Sequence, residues 1–153
     1  MFDERVRVFR LRETAKLPIR AHLTDAGMDF FFAPEDNLSE ITIHPGSSAI
    51  LPTGVKMSVP EGMMLQIMNK SGVAAKRSLV TGACVVDRGY NGEIFVNLHN
   101  VGVEEQVIKP GTKVAQGVFI NISYPLLTEV EEDNVYGHST DRGDGALGST
   151  GDF

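Results

Sequence analysis

A carboxylate and a phenol lie three residues apart in residues 85–93 (VVDRGYNGE), the stretch of this sequence best suited to chemistry. Asp87 stands where a predicted strand runs into a turn, and Tyr90 follows inside that turn. A hairpin can aim both side chains into one cavity, where the carboxylate would activate water and the ring would form a wall against a sugar or a base. The same spacing also fits an aspartate that accepts amides of its own turn beside a packed tyrosine.

A second stretch, residues 69–76 (NKSGVAAK), combines a hydroxyl and a lysine with a predicted helix start. Free amides at the start of a helix attract anions, so Lys70, Ser71 and Gly72 would suit a phosphate. The alternative interpretation is a plain N-cap, in which the Ser71 hydroxyl accepts a backbone amide beside a solvated lysine. Gln116, at the start of a later strand, would add an amide donor.

A third stretch, residues 142–151 (RGDGALGSTG), is rich in glycine near the end of the chain. Its glycine spacing lets successive amides point at one anion, and Arg142, Ser149 and Thr150 would add further donors. The same composition is also typical of a flexible tail. We therefore predict that residues 136–153 form a mobile arm and that residues 1–135 form the folded domain.

Short runs of β-branched and aromatic residues recur between turn residues and predict the elements that must position these groups. Residues 73–77, which follow Ser71, predict one short helix. Many short strands and one short helix predict an all-β sandwich or barrel of the jelly-roll kind. The predicted strands cover residues 6–12, 29–33, 41–43, 48–51, 55–59, 64–68, 79–86, 93–100, 105–108 and 114–123.

Composition excludes several classes of protein. The chain has 153 residues, a hydrophobic fraction of 42% and a charged fraction of 22%, as expected of one folded domain rather than a disordered chain. Its net charge of −6 disfavours general coating of DNA or RNA, so we expect no nucleic-acid partner. Cys84 is the only cysteine, which excludes an intrachain disulfide and a cysteine-based zinc site.

The first residues are charged and lack the apolar run of a signal peptide, and nowhere do about 18 apolar residues occur together. We therefore expect no membrane partner and a cytoplasmic location, or the interior of a host cell if the protein is viral.

Together with residues 26–29 (AGMD), these stretches resemble the five ordered motifs of the trimeric dUTPase family, from about Asp25 to Gly151. The Asp-x-x-Tyr-x-Gly segment and the terminal Gly-Ser-Thr-Gly are the most specific parts. The resemblance implies a distorted jelly-roll β-barrel, a homotrimer with shared active sites, and magnesium-assisted hydrolysis of dUTP to dUMP and pyrophosphate. That reaction limits uracil incorporation into DNA and supplies dUMP for dTMP synthesis.

The resemblance also implies a role for each matching residue. Asp87 would deprotonate the water that attacks the α-phosphorus, Tyr90 would pack under the deoxyribose and exclude a 2′-hydroxyl, and Asp29 would help hold magnesium through water. Lys70, Ser71 and Gln116 would contact the phosphate chain, and Arg142, Ser149 and Thr150 would close over its outer phosphates. The remaining substrate-binding positions implied are Gly72, Thr81, Cys84, Val86, Leu147 and Gly148.

Four residues depart from the family pattern. Lys70 replaces an arginine fork with a point charge, which loosens phosphate orientation. Leu147 stands where a phenylalanine commonly stacks on uracil, a contact worth roughly 1–3 kcal/mol. Cys84 stands where glycine is common, and Thr81 where some members place an asparagine that reads the base. Backbone groups of residues 81–87 would still offer uracil a donor and acceptors.

Two other functions fit parts of the pattern. The related dCTP deaminases share the Asp-x-Gly-aromatic-x-Gly segment, but their chemistry needs a glutamate where this chain has Asn97, so deamination is disfavoured. A regulatory protein with the same fold would use bound nucleotide to control a protein partner. Such a protein would hold dUTP without releasing pyrophosphate.

Overall fold

Eleven strands and one α-helix carry the regular structure in the computed structural model, which describes residues 5–146. A short 3₁₀ helix, Glu132–Asn134, follows them. In chain order the elements are β1 Val8–Arg10, β2 Met28–Phe31, β3 Ile41–Ile43, β4 Ser48–Pro52, β5 Val55–Met57, β6 Met63–Met68, α1 Ser71–Arg77, β7 Leu79–Thr81, β8 Val85–Val86, β9 Phe95–Asn100, β10 Gln106–Ile108 and β11 Lys113–Asn121.

The strands form four antiparallel sheets around one apolar core. A four-stranded sheet has the order β2-β11-β6-β8, a three-stranded sheet has the order β4-β9-β7, and two pairs join β1 to β5 and β3 to β10. Strand β9 shows the alternation expected of a half-buried strand: Val96 and Leu98 point into the core, while Phe95 and His99 are exposed. The prediction of an all-β, jelly-roll-like fold with one short helix is confirmed.

The register of β11 places several of the predicted site residues side by side. Gln116 lies opposite Asp29 on β2 and opposite Met68 on β6. The helix α1 begins three residues after Met68, so its start lies next to the same part of the sheet. This pairing brings Gln116, the stretch of residues 26–29 and the stretch of residues 69–76 together.

The prediction of one strand over residues 79–86 is wrong, because this segment crosses between two sheets. Its first part, β7, pairs with β9, and its last part, β8, pairs with β6. At the crossing, a Cβ on Gly82 would overlap the Asn97 side chain and the His99 ring. The chain can pass so close to β9 only because residue 82 has no side chain.

The helix starts one residue earlier than an N-cap at Ser71 would require. Lys70 is the N-cap residue, with extended backbone angles, and no side chain caps this end. Ser71 is therefore already helical, and the prediction that its hydroxyl caps the helix is wrong. At the other end, Ser78 has a left-handed backbone (φ 52°), and its N–H donates to the Ala74 carbonyl.

The chain divides into two compact units, Met1–Ser123 and Tyr124–Phe153. All eleven strands and α1 belong to the first unit, and the 3₁₀ helix belongs to the second. The boundary at residue 136 between a folded domain and a mobile arm stays a prediction. In the part of the chain that the structure describes, no helix is both long enough and apolar enough to cross a bilayer.

We predict that Gly117→Ala destabilises the fold. A Cβ at residue 117 would lie 2.5 Å from Cε2 of Phe30 and 2.9 Å from Cδ1 of Leu65, and both of these side chains are fully buried. Overpacking of this kind costs about 1–3 kcal/mol. Urea unfolding at one protein concentration should show a lower midpoint for Gly117→Ala.

The matched control is Gly89→Ala, because a Cβ at residue 89 meets no atom within 4 Å. Its unfolding midpoint should stay close to that of the wild type. An equal loss of stability in both variants would contradict the packing argument.

Candidate functional site

The carboxylate of Asp29 lies between two lysines. Its Oδ1 accepts a hydrogen bond from Nζ of Lys70 and its Oδ2 accepts one from Nζ of Lys113, both at 2.7 Å. Burial raises the pKa of Asp29, but the hydrogen bonds from Lys113 and Lys70, together with their positive charges, outweigh burial and lower this pKa below its ordinary value. Two ammonium groups against one carboxylate leave an excess positive charge here, as a phosphate site needs.

The fit of magnesium to this site depends on how the Asp29 oxygens are used. Both oxygens already accept from ammonium groups, and among residues 5–146 no group of three His, Cys, Asp or Glu side chains could hold a metal ion. Mg²⁺ commonly keeps several waters and binds phosphate oxygens. The described residues therefore suit a magnesium ion carried on a phosphate chain, with Asp29 reaching it only through water.

Asn69 is a site residue that the sequence reasoning missed. Its side-chain Oδ1 accepts hydrogen bonds from the amide of Thr81 at 2.7 Å and from the Thr81 hydroxyl at 3.2 Å. Its backbone carbonyl accepts from Nε2 of Gln116 at 2.9 Å. One residue thus joins the helix start to two other predicted site residues. Its position directly before Lys70 was the only signal in the sequence, and that signal does not identify its partners.

The glycine at position 27, in the stretch of residues 26–29, is required by its contact with Gln116. A Cβ at residue 27 would overlap the side-chain amide of Gln116, whose Cδ would lie only 2.8 Å away. The missing side chain therefore leaves room for Gln116 to reach the Asn69 carbonyl.

Asn97 supports the turn between β7 and β8. Its backbone carbonyl accepts from the Gly82 amide at 2.9 Å, and its side-chain Oδ1 accepts from the Ala83 amide at 3.1 Å. With Thr81 bonded to Asn69, the amides of residues 81, 82 and 83 all donate within the protein. A base would have to be read by other groups of this turn. Asn97 has a structural task at the position where a deaminase would need a glutamate.

Four of the predicted residues line one cleft of about 200 Å³: Cys84, Val86, Asp87 and Tyr90. Val86 is buried, Asp87 is exposed, and Tyr90 is 43% exposed. Ile67 and Phe95 complete its apolar wall. The cleft therefore brings a carboxylate and an aromatic ring to one apolar cavity, as the hairpin spacing predicts.

The prediction of a β-hairpin in residues 85–93 is wrong, because β8 pairs with β6 while β9 pairs with β4 and β7. Residues 87–92 instead form a turn between two sheets, called the Asp87 turn below, and this turn is closed by the main chain and not by the Asp87 carboxylate. The amide of Tyr90 donates to the Asp87 carbonyl at 3.1 Å. Within residues 5–146 the Asp87 carboxylate accepts no hydrogen bond and forms no ion pair. The interpretation of Asp87 as an aspartate that accepts amides of its own turn does not describe this structure. The carboxylate is available to a water molecule.

The predicted residues fall into two groups within one chain. One group lies around Asp29, which bonds Lys70. Asn69, next to Lys70, links Thr81 and Gln116 to this group. Ser71 and Gly72 are exposed at the adjoining first turn of α1. The other group lines the cleft beside Asp87, and no residue of the first group is among the lining residues of that cleft.

The last predicted residues belong to the second unit. Arg142 is exposed, and its Nε donates to the Gly145 carbonyl at 3.1 Å, a contact inside a turn. Leu147, Gly148, Ser149 and Thr150 lie outside the described residues.

We predict that Asp29→Asn destabilises the protein at pH 7 by about 1–2 kcal/mol, because two partly exposed lysines lose a charged hydrogen-bond partner. The folded pKa of Asp29 is depressed, so its stabilising effect is present above the ordinary pKa of 3.8 and is lost as the pH falls through the folded pKa. The gap between variant and wild type should therefore shrink when urea unfolding is repeated near pH 3.

Asp25→Asn is the control, since Oδ2 of Asp25 accepts only from the exposed His22 amide, which an asparagine oxygen can also satisfy. A gap for Asp29→Asn that is independent of pH would contradict the assignment of this ion cluster.

Three comparisons identify the family. The dUTPase family model matches residues 13–151. A Mus musculus protein named deoxyuridine 5'-triphosphate nucleotidohydrolase is 38% identical over 146 residues, which cover 95% of this chain and 85% of that protein.

Two solved phage structures are similar as well. The dUTPase of Staphylococcus bacteriophage 80alpha, solved with dUPNHPP and described as controlling transfer of virulence genes by a G protein-like mechanism, gives a TM-score of 0.84 at 28% identity, covering 97% of this chain and 99% of that one. A mutant dUTPase from phage phi11 of S. aureus, which coordinates a structural Mg(II) ion, gives 0.75 at 30% identity, covering 84% and 97%. Because the family model spans most of the sequence and this likeness extends to the whole fold, the chain belongs to the dUTPase family.

Proposed function

We propose that this protein hydrolyses dUTP to dUMP and pyrophosphate with Mg²⁺. The observation that carries the proposal is the cleft that both the Tyr90 ring and the Asp87 carboxylate line, the latter without a partner among residues 5–146. In the reaction a water oxygen forms a bond to the α-phosphorus, and the bond from that phosphorus to the oxygen leading to the β-phosphate breaks. The water proton passes to Asp87, and pyrophosphate leaves.

Asp87 acts as the base in this proposal. Its exposed carboxylate has no donor or ion-pair partner in the described part of the chain, so both oxygens are available to orient a water molecule and accept its proton. Val86 and Ile67 give the cleft an apolar wall, and its lining residues include two carboxylates, those of Asp87 and Glu93. Oε1 of Glu93 already accepts from Arg12 and Gly54, so we assign the water to Asp87.

Tyr90 selects the deoxyribose. Its hydroxyl donates to the Glu93 carbonyl at 2.7 Å, which holds the outer end of the ring against the Asp87 turn. A ring held in this way presents an apolar face to the sugar. A 2′-hydroxyl pressed against that face would lose its hydrogen bonds to water without gaining new ones, and this penalty disfavours ribonucleotides.

The cluster around Asp29 holds the phosphate chain. Lys70, Ser71 and Gln116 offer an ammonium group, a hydroxyl and an amide, and Lys113 adds a second ammonium group that the sequence reasoning did not assign. Asp29 keeps both lysines in place and contacts a metal ion through water. When bound, Mg²⁺ neutralises the phosphate charge that grows on the leaving pyrophosphate.

The functional assembly is a homotrimer in this proposal. Within one chain, the cleft that holds Asp87 includes none of the phosphate-binding residues, so a site that uses both groups is best built from neighbouring subunits. Arg142, Ser149 and Thr150 would close over the outer phosphates, and Leu147 would cover the base. A cytoplasmic location stays a prediction.

A regulatory role is the alternative function, and one observation favours keeping it. The similar phage 80alpha protein is described as acting by a G protein-like mechanism. A regulator of that kind in the present chain would bind dUTP, change its partner's state and depend less on turnover.

We predict that the wild-type protein releases pyrophosphate from dUTP much faster than from dCTP, dTTP or UTP, and only with magnesium. The four nucleotides are compared side by side, with and without Mg²⁺. Release from several deoxynucleotides would mean that Thr81, Cys84 and Leu147 have relaxed base selection. Binding of dUTP without release would favour the regulatory alternative.

Asp87→Asn is the matched variant in that assay, because it keeps the shape of the side chain and removes the base. It should bind a non-hydrolysable dUTP analogue as the wild type does and lose at least about 10²-fold in turnover, the lower range for general-base catalysis. Retained turnover would remove Asp87 from this role.

We predict that a chain ending at residue 135 folds and assembles as the full chain does but does not turn over dUTP. The segment removed contains Arg142, Ser149 and Thr150, which the proposal places over the phosphates. Light scattering measures assembly, and pyrophosphate release measures turnover. A shortened chain with normal rates would contradict the role of residues 136–153 and leave the rest of the proposal standing.

A further inference from the structure

We propose that Glu93 is a positioning residue that sets the discrimination between deoxyribo- and ribonucleotides, by anchoring the Asp87 turn, which carries Asp87 and Tyr90, to Arg12 and Gly54. The inference rests on the proposed hydrolysis of dUTP. It assigns a task to an ion pair between residues 81 positions apart. Arg12 lies outside the sequence motifs, and Glu93 ends the 85–93 stretch but received no role there.

The Glu93 carboxylate is held by two donors. Its Oε1 accepts from Nη2 of Arg12 at 2.5 Å and from the Gly54 amide at 2.7 Å. The side chains of Arg12 and Glu93 are only 16% and 15% exposed, so solvent screens this pair much less than it screens a surface pair. A charge-assisted contact with low exposure can hold backbone in place.

Arg12, which binds the Glu93 carboxylate, is itself held by a second bond. Nε of Arg12 donates to the Ala33 carbonyl at 3.1 Å, so the guanidinium group is held from two directions. Gly54 has a left-handed backbone (φ 71°), and a Cβ there would lie 2.5 Å from Cβ of Ala15. The Gly54 amide therefore reaches Glu93 from a position that admits only glycine without strain.

The backbone next to Glu93 is bound to the same part of the fold. The Ile94 amide donates to the Val55 carbonyl at 2.9 Å, and the hydroxyl of Thr53 donates to the Ile94 carbonyl at 2.5 Å. Residues 87–91, by contrast, are all exposed. The exposed middle of the Asp87 turn thus lies between two fixed ends, the bonds at Glu93 and Ile94 on one side and the pairing of Val86 with Leu65 on the other.

Tyr90 connects the anchored end to the sugar. Its hydroxyl donates to the backbone carbonyl of the same Glu93 whose side chain binds Arg12. A Cβ at Gly92 would lie 2.5 Å from Cζ of Tyr90, so the ring lies closely against the backbone of the Asp87 turn. A shift of residue 93 therefore moves the ring that excludes the 2′-hydroxyl.

The test compares kcat/KM for dUTP and for UTP in wild type, Glu93→Ala and Glu93→Gln. The ratio of the two values does not depend on how much of a preparation is folded, so a purely structural role would leave it unchanged. Glu93→Ala should lower the preference for dUTP about tenfold or more, because a displacement near 1 Å can cost 10²-fold in a positioned site. Glu93→Gln, which keeps an acceptor oxygen for Arg12 and Gly54, should recover part of that loss.

Glu105→Ala is the control, because Glu105 forms an exposed ion pair with His44 at 3.5 Å and does not line the cleft beside Asp87. It should keep the wild-type ratio. If Glu93→Ala does not fold, Arg12→Lys replaces it, since lysine keeps the charge and loses the two-sided fork.

The outcomes separate the two proposals. A wild-type protein that releases no pyrophosphate from dUTP overturns the proposed function and this inference with it. A wild type that prefers dUTP, with an unchanged ratio in Glu93→Ala or its replacement, overturns the positioning role of Glu93 alone.

Discussion

The placement of β11 between β2 and β6 is the constraint on which both the core and the cluster around Asp29 depend. Gly117 has no side chain, so Phe30 and Leu65 can approach each other across the strand. The same register sets the neighbouring Gln116 opposite Asp29 and Met68. A shift of one residue would put a side chain into the core and turn Gln116 away from Asn69. The packing of the core and the geometry of the site are therefore selected together.

The negative charge of Asp29 has a structural role in the cluster around it even without a ligand. Lys70 and Lys113 would repel each other if Asp29 did not lie between them, and their hydrogen bonds keep its pKa low. The cluster is stable while it keeps one uncompensated positive charge for an anion. Protonation of Asp29 would remove the bond that holds both lysines, so binding and stability respond to acid through the same group.

The motif residues and most strands could be predicted from the sequence, because short β-branched runs and turn residues act locally. Contacts between distant segments could not. Nothing local links Asn69 to Thr81, or Arg12 to Glu93, since each pair meets only after the sheets form. The break in the predicted strand at Gly82 has the same origin, because β9 decides how close the chain can come. Site residues of the second unit that lie outside the described residues remain predictions.

The Asp87 turn is held at both ends and exposed between them, and this arrangement suits hydrolysis. In the proposed function the Tyr90 ring excludes a 2′-hydroxyl, a role that requires it to keep its place within a fraction of an ångström. Its hydroxyl is bonded to Glu93, the residue that Arg12 anchors. The carboxylate that handles water must keep free oxygens, and bonds to the surrounding protein would reduce its ability to accept a proton. An exposed carboxylate also admits bulk water, which weakens its interaction with developing charge. The exposure that leaves the Asp87 carboxylate available to a water molecule is therefore the same feature that weakens its electrostatic interactions.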